Sequence, residues 1–132
     1  MYTMKQVCAL TDMSYEALKF YCNQGLVPNV KRDALNRRIF DERDVAWIQG
    51  LTCLKKCGMS LKEMKEYMEL CLAGQPSIPA RKKILARKRE GLLASIRELQ
   101  ASVDYIDGKQ RFYDDVLNGQ TKYVSNLLPV EE

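Results

Sequence analysis

Apolar side chains recur at three- and four-residue steps along two short stretches at the start of the chain. This spacing predicts two amphipathic helices. The first helix carries Val7 and Leu10 inward. It opens with Thr3 and Gln6, which form a capping-box pair. The second helix begins after Ser14, a residue typical of helix N-caps. Because the connection between them is tight, the pair is predicted to form a helix-turn-helix.

The second helix also carries side chains that suit contacts with a DNA groove and its phosphates. These are Ser14, Tyr15, Lys19, Phe20 and Tyr21. An ordinary helical hairpin with its aromatic residues in the core is the alternative, and the flanking segments favour the DNA-binding interpretation.

Residues 29–40 hold four basic side chains against one acid and predict a β-hairpin. Asn36 tolerates the positive φ of a hairpin turn, and Ile39 and Phe40 fit a returning strand. A basic hairpin directly after a helix-turn-helix is a wing, whose cations would lie along a phosphate backbone. The cations are Lys31, Arg32, Arg37 and Arg38. The alternative is a solvated surface loop.

Two further helices follow the predicted wing. Asp41 caps the first, and the capping-box pair Ser60 and Glu63 opens the second. Gly74 and the proline-containing run 75–79 end the second helix and mark the most prominent boundary in the chain. The predicted inward positions are Val45, Ile48, Leu51, Thr52, Leu54, Leu61, Met64, Met68 and Leu72, with Trp47 as a nearby anchor.

Beyond residue 79, apolar residues repeat every seven positions and predict a helix of 35–40 residues with a coiled-coil seam. The seam residues are Leu85, Leu92, Ile96, Leu99, Val103, Ile106 and Tyr113. A helix of about 55 Å with one apolar stripe needs a partner, and a second copy of the chain is the simplest one. An antiparallel pair is expected because it places two DNA-binding heads symmetrically, although heptads alone do not fix the direction.

The predicted fold is therefore mainly α-helical, with a small β-hairpin wing. We expect a winged helix-turn-helix domain over 1–75, a dimerising coiled-coil helix over 80–118 and a short tail over 119–132.

Composition and charge limit the classes of function that the chain can have. The net charge is +4 and the pI about 8.8, which is compatible with nucleic acid as a partner. The absence of histidine and of any catalytic-triad, phosphate-loop or zinc-helix motif predicts no enzyme, metal site or cofactor. Five cysteines are an odd number and argue against a disulfide framework. No stretch is long and apolar enough to span a membrane, so a cytoplasmic location is expected.

In combination, these motifs resemble the MerR family of bacterial transcriptional regulators over residues 1 to about 118. The likeness rests on the opening segment 1–14, on Lys19–Cys22 in place of an Arg-Tyr-Tyr-Glu signature and on Gly25–Pro28. It continues through Arg38–Phe40 in the wing and Gly58–Glu63. The wing departs from the family pattern, since the usual Gly-Tyr is Asn36-Arg37 here.

The resemblance implies an antiparallel homodimer of winged-helix heads. Such a dimer bends and untwists inverted-repeat promoter DNA, so that its two recognition elements are realigned for RNA polymerase. It also implies that Tyr15 and Lys19 contact base edges or the groove. The implied phosphate contacts are Tyr21, Lys31, Arg32 and Arg38. Phe20 lacks the hydroxyl usual at its position, so any phosphate bond made there is lost.

The chain is also similar to the branch of the family that responds to aldehydes and other thiol-reactive electrophiles. That branch has a Trp-Ile segment followed by a cysteine, matched here by Trp47, Ile48 and Cys53. Reaction would require a thiolate at Cys53, stabilised by cations such as Lys55. Cys57, one helical turn away, is a candidate resolving partner, and the favoured alternative is a residue at the helix end without a role in the chemistry. The alternative for Cys53 is a buried structural residue, and Cys8, Cys22 and Cys71 are taken as structural.

Two rival functions remain at this point. One is a constitutive or small-ligand-gated regulator without cysteine chemistry. The other is a coiled-coil interaction module whose basic face only aids solubility.

Overall fold

The structure is a computed structural model, and it describes residues 1–129. Helices dominate, and a small antiparallel sheet accompanies them, which confirms the predicted fold class. In chain order the elements are β1 (Tyr2–Thr3), α1 (Met4–Thr11), α2 (Tyr15–Asn23), β2 (Lys31–Arg32), β3 (Arg38–Phe40), α3 (Glu42–Lys56), α4 (Leu61–Leu72), a short 3-10 helix (Gln75–Ser77) and α5 (Ile78–Leu117).

Side-chain caps fix the starts of the head helices, as the sequence predicted. The hydroxyl of Thr3 accepts a bond from the Gln6 backbone N–H at 3.2 Å, and the Gln6 side chain accepts from Thr3 N–H at 2.9 Å. Ser14 Oγ accepts from the backbone N–H of Ala17 at 3.1 Å at the start of α2. Ser60 begins α4 with the same reciprocal box. These bonds satisfy N–H groups that a helix start otherwise leaves unpaired.

The sheet has the strand order β1–β3–β2, with both pairings antiparallel. Tyr2 pairs with Phe40, and Lys31 pairs with Ile39. The β2–β3 hairpin is the predicted wing, and Asn36 takes the positive φ of 62° that its turn requires. Strand β1 was not predicted, because two residues are too few to show the alternation of a strand.

The core lies where α1, α2, α3 and β3 meet. Its fully buried side chains are Val7, Leu18, Leu26, Phe40, Ile48 and Leu51. Trp47 anchors α3 by donating its indole N–H to the carbonyl oxygen of Leu26 at 2.7 Å. Two inward predictions were wrong. Leu10 is exposed because the buried face of α1 passes through Val7 and Thr11, and Leu72, the last residue of α4, is also exposed.

Helix α5 has 40 residues and none of them is buried. It starts at Ile78, two residues before the predicted boundary, because Pro79 falls in its first turn, where a missing N–H is tolerated. The chain packs as two compact units, Met1–Arg89 and a second that begins at Glu90. Within residues 1–129, no helix is both long enough and apolar enough to cross a bilayer.

Candidate nucleic-acid interface

Helix α2 presents one continuous outer face to solvent. Because Leu18 and Tyr21 are buried, the residues on the opposite side of the helix point outward. The exposed positions are Tyr15, Glu16, Lys19, Phe20 and Asn23. The face therefore carries aromatic, amide and cationic groups of the kinds that contact bases and phosphates.

Tyr21 lies mostly in the core. The resemblance implied a phosphate contact, but the side chain is only 4% exposed and belongs to the core cluster. Its edge lines a groove shared with Ser14. The inward position that the spacing predicted for Tyr21 is confirmed, and a phosphate contact through the edge that lines this groove stays a prediction.

A cationic groove of about 420 Å³ lies between α2 and the wing. We call it the wing-side groove. It contains Tyr15 from the first turn of α2 and the cations Lys5, Arg32, Arg37 and Arg38. The structure thus brings together four of the predicted DNA-binding residues and adds Lys5. No local pattern predicts Lys5 as a groove residue, since its place there depends on the pairing of β1 with β3.

Internal hydrogen bonds hold the three wing arginines in place. Arg32 Nη1 donates to the carbonyl oxygen of Asn36 at 2.9 Å, and Arg37 Nε donates to Asp33 Oδ2 at 2.9 Å. Arg38 Nη2 donates to Asn23 Oδ1 of α2 at 2.6 Å. A guanidinium has five N–H donors, so each arginine retains donors for an anion. Hydrogen bonds from the Arg37 backbone and side chain hold the pKa of Asp33 below its usual value.

A second groove, also about 420 Å³, flanks the N-terminal end of α2 on the side of α3. We call it the α3-side groove. Ser14 and Ala17 line it from α2, and Thr52, Lys55 and Lys56 line it from the last turns of α3. Sequence reasoning missed the two lysines as DNA-binding candidates. Their place beside α2 follows from the packing of α3 against the helix-turn-helix, which no local pattern shows.

Lys31 contacts the protein rather than lining the wing-side groove. Its Nζ donates to Asp41 Oδ2 at 3.0 Å, to the Asn29 carbonyl oxygen at 3.1 Å and to Asp44 Oδ2 at 3.3 Å. The bond to Asp41 raises the pKa of Lys31. The Asp44 backbone N–H and then Lys31 lower the pKa of Asp41 to about 2.

The thiols differ in exposure. Cys53 is exposed on α3, and Cys57 is half-buried one turn later, with its N–H bonded to the Cys53 carbonyl oxygen at 3.0 Å. Burial raises the pKa of Cys8 and of Cys22, which suits the structural role expected of them. Cys53 is thus accessible to a reagent in this chain, contrary to the buried alternative.

The predicted seam residues of α5 are all solvent-accessible in the single chain. Their exposed fractions run from 39% at Leu92 to 67% at Leu99. The others are Leu85, Ile96, Val103, Ile106 and Tyr113. An apolar stripe this long on one helix is unusual for a monomeric soluble protein.

Two family profiles match the chain. The profile described as MerR HTH family regulatory protein matches residues 2–71, and the one described as MerR, DNA binding matches residues 45–108. An uncharacterized HTH-type transcriptional regulator of Haemophilus influenzae is 34% identical over 112 residues, which are 85% of this chain and 83% of the relative. The HTH-type transcriptional regulator AdhR of Bacillus subtilis is 35% identical over 88 residues, which are 67% of this chain and 63% of AdhR.

Solved structures agree with these relatives. The chain is similar to HiNmlR, a MerR family regulator lacking the sensor domain, in a crystal structure bound to promoter DNA. The identity is 32%, the TM-score 0.76 and the coverage 89% of each chain. A MerR family transcriptional regulator from Listeria monocytogenes gives a TM-score of 0.79 at 25% identity, with 90% of each chain covered.

Proposed function

The chain belongs to the MerR family of helix-turn-helix regulatory proteins, and from this premise we propose that it binds inverted-repeat promoter DNA as a homodimer. In this proposal the bound dimer distorts the duplex and so acts on RNA polymerase indirectly. The relatives named above are transcriptional regulators. Among the similar solved structures, HiNmlR is bound to promoter DNA.

One observation carries the proposal most strongly: the outer face of α2 lies between two cationic grooves. A helix in the major groove has a phosphate strand on either side of it. The wing-side groove would receive one strand and the α3-side groove the other.

The side chains divide into two roles on this basis. Tyr15 and Lys19 are proposed to contact base edges, and Phe20 is proposed to pack beside them in the groove. Ser14 caps α2 and lines the α3-side groove, so the first turn of α2 borders this groove. The remaining backbone N–H groups of a helix start favour an anion there. The proposed phosphate contacts are Arg32, Arg37, Arg38, Lys55 and Lys56.

The exposed seam of α5 supports a homodimer with antiparallel helices. If the two copies pair about Ala101, Leu85 meets the partner's Leu117 and Leu99 meets the partner's Val103. Each pair then contacts across the two helices, with one residue from the first apolar position of the heptad and one from the second. This is the pairing expected of an antiparallel coiled coil.

Charge supports the same direction. The N-terminal part of α5 is basic, with Arg81, Lys82, Lys83, Arg87 and Lys88. The C-terminal part is acidic on balance, with four aspartates (104, 107, 114 and 115) against Lys109 and Arg111. Antiparallel pairing brings opposite charges together at both ends, whereas parallel pairing sets like charges side by side.

We also propose that Cys53 is the response site for electrophiles. Its exposed thiol would lose its proton to water and add to the carbonyl carbon of an aldehyde, forming an S–C bond while the carbonyl oxygen takes up a proton from water. Cys57 would serve as the resolving thiol only where an oxidant such as a peroxide accepts the two electrons released by a disulfide.

Fluorescence anisotropy with a promoter fragment, measured across salt concentrations, tests the DNA-binding proposal. Arg38→Ala should weaken binding to specific and random duplexes alike and lower the slope of log K against log salt by about 0.9 per phosphate contact. Arg97→Ala, which removes a cation that lines neither groove, is the control. If the wild-type chain does not bind DNA at low salt, or binds it without salt dependence, the interaction-module function is correct instead.

A further inference from the structure

We infer that Lys31 is a positioning residue that fastens the wing to the N-terminus of α3 through Asp41 and Asp44, and that it does not contact a DNA phosphate. We call this three-residue arrangement the wing latch. The inference rests on the proposed DNA-binding function, and it assigns one wing cation a role different from that of its neighbours.

The hydrogen-bonding capacity of Lys31 is fully used inside the protein. An ammonium group has three N–H donors. Three acceptors surround Nζ within 3.3 Å: one oxygen each from Asn29, Asp41 and Asp44. A phosphate could take one of these donors only by displacing a carboxylate or a carbonyl oxygen.

The two carboxylates in turn depend on the ammonium group. Asp41 and Asp44 form the reciprocal capping box of α3, with N–H bonds of 2.8 and 3.0 Å. Their Oδ2 atoms both contact Nζ, so two negative charges share one cation. The Asp44 side chain is only 5% exposed, and a carboxylate that is so poorly hydrated requires a partner.

Because Lys31 lies in the wing, its bonds to Asp41 and Asp44 affect how the wing is held. Strand β2 consists of Lys31 and Arg32, and among residues 1–129 its one partner strand is β3. The latch joins this two-residue strand to α3, while the bond from Arg38 to Asn23 joins β3 to α2. Together the two connections fix the angle at which the wing presents its arginines to the wing-side groove.

The test compares Lys31→Met, Asp41→Asn and Arg38→Met in the full chain. Asparagine remains a good N-cap, so Asp41→Asn removes the charge while keeping the cap of α3. Lys31→Met should weaken DNA binding about two- to fivefold, the range for a partly exposed ion pair. The slope of log K against log salt should stay within about 0.3 of the wild-type value, which is about a third of what one phosphate contact contributes. Arg38→Met is the matched control, and it should lower the slope by about 0.9 per contact.

The direction in which Asp41→Asn changes DNA affinity distinguishes the latch most sharply from long-range electrostatics. Removing a negative charge from the head should strengthen binding to the polyanionic duplex if only long-range electrostatics matters. The latch predicts instead that binding weakens about two- to fivefold, because the wing loses an anchor. Stronger or unchanged binding by Asp41→Asn, or a slope loss in Lys31→Met that equals that of Arg38→Met, would overturn the inference.

Amide hydrogen exchange without DNA separates this inference from the proposed function. Both latch variants should exchange the amides of β2 and β3 faster than wild type, with α4 unchanged as the internal reference. If the wild-type chain fails to bind DNA, the proposed function is lost, but faster strand exchange still supports the latch. Unchanged exchange in both variants refutes the latch whatever the DNA result.

Discussion

Leu99→Ala tests the proposed dimer at its centre. The Leu99 side chain is 67% exposed in the single chain and would face the partner's Val103 near the two-fold axis. Full burial of a leucine side chain stabilises by about 1.5–3 kcal/mol, so burying the exposed two-thirds contributes roughly 1–2 kcal/mol. The two-fold axis doubles the loss to roughly 2–4 kcal/mol, which weakens dimerisation about 30- to 900-fold.

Sedimentation equilibrium measures this change directly. Tyr105→Ala is the matched control, because Tyr105 is also 67% exposed on α5 but lies off the seam. The control should dimerise with nearly the wild-type constant. Thermal melting of the head should be the same in both variants, since neither residue belongs to the core cluster. Equal dimerisation by Leu99→Ala and wild type, or an equal loss in the control, would show that the stripe is not the dimer seam.

Three further predictions concern the head. Lys19→Ala should relax the preference for one base pair in each half-site by about fivefold or more, as measured by competition between variant duplexes; a uniform loss over all sequences would assign Lys19 to a phosphate. The folded pKa of Asp41 is about 2, below the value of about 3.9 for an unfolded aspartate. Its stabilising contribution is therefore complete above pH about 4 and is lost as the pH falls through about 2, so Asp41→Asn should flatten the melting-temperature profile over that range. Cys53→Ser should bind DNA within about twofold of wild type but lose the transcriptional response to an aldehyde in vitro; a full response would favour a regulator gated without cysteine chemistry.

Local signals predicted the framework of the fold. The capping boxes at Thr3 and Ser60 and the turn at Asn36 are short-range hydrogen-bond or backbone requirements, so the sequence alone places them. The heptad repeat likewise predicted α5, to within two residues at its N-terminus.

The features that were missed depend on contacts between distant segments. Lys31 appears equivalent to Arg32 in the sequence, and the approach of the α3 cap, ten and thirteen residues later, gives the two cations different contacts. Lys55 and Lys56 became candidates because α3 packs beside the start of α2. The sequence therefore shows where the basic side chains are. Which of them contact other parts of the protein and which line a groove depends on the tertiary fold.

The anchored arginines of the wing have a consequence for how a promoter is selected. Each guanidinium is already oriented by Asn36, Asp33 or Asn23 before any ligand arrives. Binding thus loses little side-chain freedom, and re-aiming the wing would break bonds made during folding. If the dimer distorts its promoter as proposed, a wing held in this way requires the duplex, and not the protein, to change shape. Sequences that bend and unwind easily should be preferred, even at base pairs that no side chain touches.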